Sequence, residues 1–452
     1  PRQGEAGELV ADANGLPALP GTSIAGVLRA AWQARHGGDD ADTATPLARL
    51  FGPRGRVALE ASRLAVTWGH LHDSHDRPTD SLLPPGGAWM DDPVLRAALE
   101  GGRRDRVRIN ARGAADGRGK FEERVLDPGH RFTFDLTLRG TREDEPHWQA
   151  LLALLSDPLL RFGGGTRRGF GRARVARLHA GTYDLRDPDE RKAFCKLPVG
   201  LDTTEGLPAA TTPEPSTGGL SVTLKDFGPV DPWLFGGGLP EGDEDMAPVA
   251  AHRITWGPDG GRVTARPVHY VPASALKGAL SHRLAWHYNR LTGVRAEDVT
   301  PEAHVGENNA AVRQLFGCLP APGRDGQRDG RRGRLLLEDL FLDDRAPSQE
   351  VMHVSLDRFT GGARAGLLFS ERVLKPEADF AGDYVIRLAL PDDDRLTPEV
   401  RQALAATLED VRRGRIAFGA GANRGNGTFA CREVDWSDGG RWIGAESREA
   451  AE

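Results

Sequence analysis

Two glycine-rich loops hold the residues best suited to chemistry: Gly163-x-Gly165-x-x-x-Gly169-x-Gly171 and Gly419-x-Gly421-x-x-x-Gly425-x-Gly427. Their spacing is not that of the dinucleotide fingerprint G-x-G-x-x-G, and each follows a helical pattern and enters a strand pattern rather than the reverse. Repeated glycine provides backbone that can take positive φ and let a phosphate chain approach its N–H groups. Thr166, Arg167 and Arg168 in one loop, with Asn423 and Arg424 in the other, add polar and cationic groups beside that backbone, Arg168 matching Arg424. A tight helix-to-strand turn with incidental arginines explains a single loop as well as a binding role does. Recurrence of the same glycines and the same arginine favours a ligand.

Two helix starts form a second anion-friendly element. Pro20-Gly-Thr-Ser23 and Pro272-Ala-Ser274 each precede an apolar stripe, Ile24, Val27, Leu28, Ala31 and Trp32 in one case, Leu276, Leu280, Leu284, Tyr288 and Leu291 in the other. Thr22 or Ser23, and Ser274, are the expected caps. Exposed N–H groups and the helix dipole favour a phosphate there, which Lys277 could reach from the first turn. The matching residue in the first block is Ala25, leaving Arg29 one turn on. Both are also core helices whatever else they do. His70, His72 and His75 with Asp76 have metal-binding chemistry, but they lie in a Pro- and Asp-rich stretch that reads as an insertion loop.

These features recur because the sequence is duplicated. Leu19 to Arg29 is echoed by Val271 to Ser281, Leu47 to Gly52 by Val312 to Gly317, and Val57 to Glu60 by Leu335 to Glu338. Val107 to Arg112, followed by Phe121 and Glu123 to Leu126, is echoed by Val354 to Phe359, Phe369 and Glu371 to Leu374, and the glycine loops close the series. Period-two strands are expected at Phe132 to Leu138 and Tyr384 to Leu390, second helices at Trp148 to Leu155 and after Thr397-Pro398, and closing strands at Arg172 to Leu178 and Thr428 to Val434. The order is that of a ferredoxin-like fold. The expectation is an α+β protein of two tandem ferredoxin-like (RNA-recognition-motif-like, βαββαβ) domains with insertions and projecting hairpins, residues 1–195 and 220–440, joined by a linker at 196–219 and followed by a tail at 441–452. The second copy opens with Leu220-Ser-Val-Thr-Leu224; the first has no room for that strand before Pro17. With no initiating Met, about thirty preceding residues are expected.

Composition sets the class. With 39% hydrophobic and 27% charged residues the chain is an ordinary globular one, and its net charge of −6 argues against free-standing, non-specific DNA binding. Nucleic-acid contact would have to be local; arginine is concentrated at Arg103, Arg104, Arg106, Arg108 and Arg112, at Arg167 and Arg168, and at Arg331, Arg332 and Arg334, runs that most often are solvated faces balancing acidic neighbours. Cys195, Cys318 and Cys431 are scattered, so neither a disulfide framework nor a cysteine zinc site is expected. No apolar run would span a membrane and no signal peptide is evident at the start, favouring the cytoplasm.

The Pro-Gly-Thr-Ser-x-x-Gly-x-x-Arg helix start, the middle Asp357-Arg358-Phe-Thr-Gly-Gly-Ala363 segment leading to Phe369 and Glu371, and the closing glycine loop resemble the RAMP superfamily of CRISPR proteins. Nearly the whole chain takes part, and it is similar to two fused copies of the backbone subunit of type III effector complexes. Asn110 to Ala115 is a weakened version of the middle segment. The resemblance implies a subunit that grips guide CRISPR RNA by its phosphates, with a hairpin wedged between guide and single-stranded target RNA, inside a complex with other subunits. The RNA-binding residues it marks are Ser23, Arg29, Gly163, Gly165, Thr166, Arg167, Arg168, Ser274, Lys277, Arg358, Gly419, Gly421, Asn423 and Arg424.

It further implies target cleavage by an acidic residue in a loop before the second Pro-x-x-Ser helix, with Mg2+ or Mn2+. The RNA supplies its own 2′-hydroxyl nucleophile, so the protein has only to orient the strand and manage charge. Asp243 and Asp245 are the candidates, Asp245 the better placed because it precedes the segment returning to the sheet; Asp12 is the first copy's weaker counterpart. Alternatives are a scaffold that binds guide RNA without cutting, a guide-processing endoribonuclease using a histidine base without metal, and a protein-interaction module.

Overall fold

The computed structural model describes residues 8–39, 42, 44–53, 61–110, 113–211, 219–238, 244–295, 297, 303–319, 330–342, 346–376, 381–390 and 396–444. Helices and small antiparallel sheets alternate along it.

The second half is organised by one strand, Leu220–Pro229, whose Val222, Leu224 and Phe227 are buried. It pairs antiparallel with Gly382–Leu388 on one side and with Phe429–Ala430 and Glu433–Trp436 on the other, while Leu335–Leu336 extends the sheet beyond Gly382–Leu388. Register places Val222 opposite Ile386 and Leu224 opposite Tyr384. The period-two pattern thus presents one apolar face, covered by helices Ala273–Leu291 and Pro398–Arg412 through Leu276, Leu280, Leu284, Val400, Leu404 and Leu408. Arg441–Ile443, expected in the tail, joins this core: Ile443 is buried and Trp442 stacks on Trp436.

The first half repeats the helices more fully than the sheet. Helices Gly21–His36 and Glu145–Leu154 pack through Ile24, Leu28, Trp32, Leu151 and Leu154. Among the described residues two short ladders accompany them, Leu64–Val66 with Leu136–Leu138 and His70–Leu71 with Phe132–Thr133. Residues 8–20 contribute the isolated bridges Ala11–Pro17 and Leu19–Gly69. The closing strand expected at Arg172 to Leu178 is instead irregular, bridged only at Arg172 to Arg161. Its counterpart in the second half is held by Leu220–Pro229, and nothing described fills that position here.

Each half projects a hairpin, Gly102–Ile109 with Ala115–Val125 and Ser348–Leu356 with Ala363–Leu374. Residues 196–211 fold back on the first half, Leu201 N–H donating to Asp80 and Tyr183 to the Gly206 carbonyl, so this part of the expected linker is not free. A short helix, Pro188–Phe194, capped by Asp187, lies just before it.

The expected helix caps differ. Pro20 and Pro272 take the N-cap positions, and neither helix has a side-chain cap of its own. Thr22 and Ser23 are exposed, and Ala273 N–H donates to Asp339 at 2.8 Å, so a distant carboxylate replaces Ser274.

Candidate nucleic-acid interface

The two glycine loops have the same backbone. Gly163, Gly165, Gly169 and Gly171 lie at φ of 77, 64, 99 and 79°, and Gly419, Gly421, Gly425 and Gly427 at 88, 74, 83 and 83°. Phe162 N–H donates to Gly171 O at 2.9 Å and Phe418 N–H to Gly427 O at 2.8 Å, closing each loop at its neck. Side chains are excluded there, since a Cβ on Gly171 or Gly427 would stand 1.9 or 2.1 Å from the phenylalanine carbonyl oxygen. Buried Phe418 and Phe429, packed on Phe227, anchor the second loop to the sheet.

Arg168 and Arg424 are matched in space as in sequence, but neither is free. Arg168 pairs with Glu123 and Arg424 with Glu371, both at 2.5 Å. Each guanidinium also sits over a hairpin phenylalanine, Phe121 at 5.8 Å and Phe369 at 5.7 Å. The repeated Phe-x-Glu segment and the repeated arginine are therefore one structural unit, locking each hairpin to its loop. Both arginines keep about a third of their side-chain surface exposed, 35% and 37%. Glu371 is buried and also receives His353 Nε2 at 3.0 Å, the ring stacking on Phe369; at the position of His353 the first hairpin has Arg106, paired with Glu123 at 3.0 Å.

The strongest cationic feature lies where the halves meet. A Cβ on Gly169 would stand 2.6 Å from Ala273 Cβ, so the first glycine loop rests on the start of the second half's helix. Around this contact Arg104 pairs with Asp339 at 3.0 Å over the Tyr270 ring, and Arg161, Arg172 and Arg387 converge on Glu338. Two carboxylates face these four arginines, so the group is paired but keeps a net positive charge. Arg167, Arg332 and Lys277 have no carboxylate within salt-bridge distance among the described residues. Arg167 donates to the Gly333 carbonyl at 2.6 Å, its Nη1 is buried without a partner, and burial with neighbouring Arg332 and Arg161 pushes its pKa down to about 10. Arg332 donates to Thr166 at 3.0 Å. Lys277 is lowered by burial and then by Arg168 and Arg167, with Glu307 acting weakly the other way. Three cations crowded together with no salt-bridging carboxylate among the described residues, beside loop backbone held at positive φ, form a site that an anion would relieve.

The other expected residues scatter. Arg29 is buried, donating to the Phe51 and Gly52 carbonyls at 3.2 and 2.7 Å, so it closes the helix Pro46–Phe51 rather than meeting a phosphate. Asn423 is exposed in the loop and Arg358 at the second hairpin's tip, whose turn is held by Asp357. Asp12 is a turn residue, accepting from Asn14 and Leu16 N–H. Asp243 lies outside the described residues. Asp245 is exposed and bound to the second hairpin, its N–H donating to Ser370 O at 3.1 Å and its Oδ2 accepting from Ser370 N–H at 2.9 Å. Ser370 adjoins Glu371, so Asp245 and Arg424 meet the same strand at adjacent residues. Glu244 is buried and paired with Arg372 at 2.9 Å. His72 is buried between Asp76 and Thr133, with no metal-binding geometry. No group of three metal-ligating side chains occurs among the described residues.

Sequence reasoning did not single out Arg332 as a ligand, nor the pairing of Arg167 with Lys277. The signal was present in the Arg331 to Arg334 run, but only the contact between halves gives it a partner loop.

A family model described as the RAMP superfamily matches residues 2–174 and 231–430. No curated protein matches the chain.

Proposed function

The chain belongs to the RAMP superfamily, and from that premise we propose that it is a guide-RNA-binding backbone subunit of a type III CRISPR effector complex, built of two tandem ferredoxin-like modules. Superfamily membership supports a CRISPR-associated RNA-binding subunit. The observation that carries the reading further is the set Arg167, Arg332 and Lys277 beside the first glycine loop, with no salt-bridging carboxylate among the described residues. The guide's phosphates pass over this junction, with loop N–H groups and the three cations as donors. The hairpins, bearing exposed Phe359 and Leu368 on the second and Val107 and Ile109 on the first, offer apolar edges to separate guide from target. A nuclease-digested preparation, with protected RNA sequenced, tests the RNA-binding reading; absence of protected RNA refutes it.

Target cleavage by Asp245 is part of the proposal. Its Oδ1 has no hydrogen bond among the described residues. One carboxylate oxygen suits Mg2+ or Mn2+, whose remaining ligands would be water and phosphate. Such an ion would supply charge neutralisation at the phosphate. Asp245, fixed by two hydrogen bonds to Ser370, orients the strand. The non-catalytic scaffold is favoured by the same bonds, which give Asp245 a structural use. Target cleavage that persists in Asp245→Asn, or survives chelation, removes the metal-dependent reading. Other subunits of the complex are the expected protein partners, and a cytoplasmic setting is proposed; no described helix is long and apolar enough to cross a membrane.

A further inference from the structure

The carboxylates that lock the two hairpins to their glycine loops are surrounded alike except at one position. In the first half Glu123 faces two arginines, Arg168 from the loop and Arg106 from the hairpin. In the second half Glu371 faces Arg424 from the loop, on Oε1 at 2.5 Å, and His353 from the hairpin, on Oε2 at 3.0 Å. Register makes the exchange one for one, since Arg106 lies opposite Phe121 and His353 opposite Phe369. An arginine keeps its proton at every pH a folded protein meets, whereas an imidazole gives and takes one near neutrality. At this place the second half alone carries a group able to move a proton.

The geometry also fixes which nitrogen does so. Glu371 is buried and its charge is held by Arg424, so it accepts a hydrogen bond and the hydrogen on the neutral imidazole sits on Nε2. The ring's lone pair is then on Nδ1. That nitrogen has no hydrogen-bond partner among the described residues and is not sealed from solvent, the side chain keeping 23% of its surface exposed. Stacking on Phe369, with ring centroids 4.8 Å apart and planes 24° from parallel, holds the ring plane. The charged groups packed about the ring are Glu371 and Arg424. Along the same strand Asp245 is bonded to Ser370, the residue between Phe369 and Glu371, and Arg372 pairs with buried Glu244. A buried carboxylate that orients an imidazole and leaves its other nitrogen open is the arrangement of a general base.

We propose that His353 is the proton acceptor for cleavage of RNA lying over the second hairpin, and that the first half, with Arg106 in its place, binds without cutting. This assignment rests on the RNA-binding and cleavage reading, and it names the group that takes the proton and the half that cuts. His353 Nδ1 takes the 2′-hydroxyl proton as the 2′-oxygen bonds to phosphorus and the bond from phosphorus to the 5′-oxygen breaks. The leaving 5′-oxygen takes a proton from water, and the imidazolium returns its own to the hydroxide so formed. The products are a 2′,3′-cyclic phosphate and a 5′-hydroxyl. Glu371 is a positioning residue, holding the ring and stabilising the imidazolium as it forms.

The test uses the full chain with its guide RNA bound, in Mg2+, and a complementary single-stranded RNA. His353→Arg copies an arrangement that the first half already accommodates, and His353→Gln keeps a donor to Glu371. Both should cut about 100-fold or more slowly while holding the target within about twofold of wild type by anisotropy. The wild-type rate should rise with pH as the ring loses its proton and then level off, a rise that the residual activity of His353→Gln should lack. Apart from cleavage, NMR of isotope-labelled histidine should show the neutral ring protonated on Nε2, and a 2′-fluoro target strand, which cannot be cut, should shift the Nδ1 resonance. Variants slowed by less than about tenfold, or an Nδ1 resonance unmoved by bound 2′-fluoro RNA, overturn the proposal. Cleavage that Asp245→Asn abolishes and the His353 variants retain overturns it alone, whereas a wild type that holds the target without cutting it overturns the cleavage reading as well.

Discussion

Lys277→Ala removes one of the three cations at the junction that have no carboxylate within salt-bridge distance among the described residues, and the size of its effect follows from counterion release. Each phosphate neutralised on single-stranded nucleic acid contributes about −0.7 to the slope of log affinity against log salt. Arg167, Arg332 and Lys277 together account for a slope of about −2.1. Losing Lys277 should bring that share to about −1.4 and, at about 0.15 M salt, weaken binding roughly fourfold, or ~0.8 kcal/mol. The deficit should shrink at alkaline pH. Lys277 has its pKa lowered by burial and then by Arg168 and Arg167, so free wild type loses that charge earlier than an exposed lysine would, and its advantage over the variant falls as pH rises through that range. Fluorescence anisotropy with a labelled single strand, over a salt series at two pH values, measures both. A wild-type slope in the variant, or a deficit independent of salt, refutes the reasoning.

Four further outcomes are expected. Glu371→Gln frees Arg424 from its buried partner, so the RNA salt slope should steepen by about 0.7 in the same assay. Gly427→Ala places a methyl 2.1 Å from Phe418 O at a φ of 83°, and urea unfolding should show a loss of about 2–4 kcal/mol. Both ring nitrogens of His130 are buried without partners among the described residues, and burial pushes its pKa down to about 4. The fold therefore prefers the neutral ring; stability is full above the unfolded value near pH 6.5 and declines as pH falls to about 4, by about 3 kcal/mol, a decline that His130→Leu should flatten in urea titrations across pH. Asp245→Asn should lower target cleavage by about 100-fold or more while leaving guide affinity within about twofold, read by gel assay and anisotropy.

Much of this was legible in the sequence because duplication exposes what a position is for. The matched glycines point to a loop backbone at positive φ, and Phe121 with Glu123, echoed by Phe369 with Glu371, mark residues that hold Arg168 and Arg424. Their pairing was not legible, since the partners lie 45 and 53 residues apart and nothing local links them. Arg29 misled for a physical reason: on an amphipathic helix an arginine one turn from the start can point to solvent or cap a neighbouring helix, and only packing decides. The junction has no echo in the repeat, because Gly169 against Ala273 is a contact between the two copies and not within either. The irregular Arg172 to Leu178 segment shows the same limit, since a strand is expected there while no strand partner for it is among the described residues.

Cross-linking of bound single-stranded RNA to the intact chain, followed by mass spectrometric mapping, asks directly whether a phosphate backbone crosses the junction. Adducts should fall on Thr166 to Gly169 and, within the same complexes, on Ser274 to Lys277 and Arg332. Adducts confined to other surfaces, with these three segments unmodified, would contradict the placement of RNA proposed for this protein.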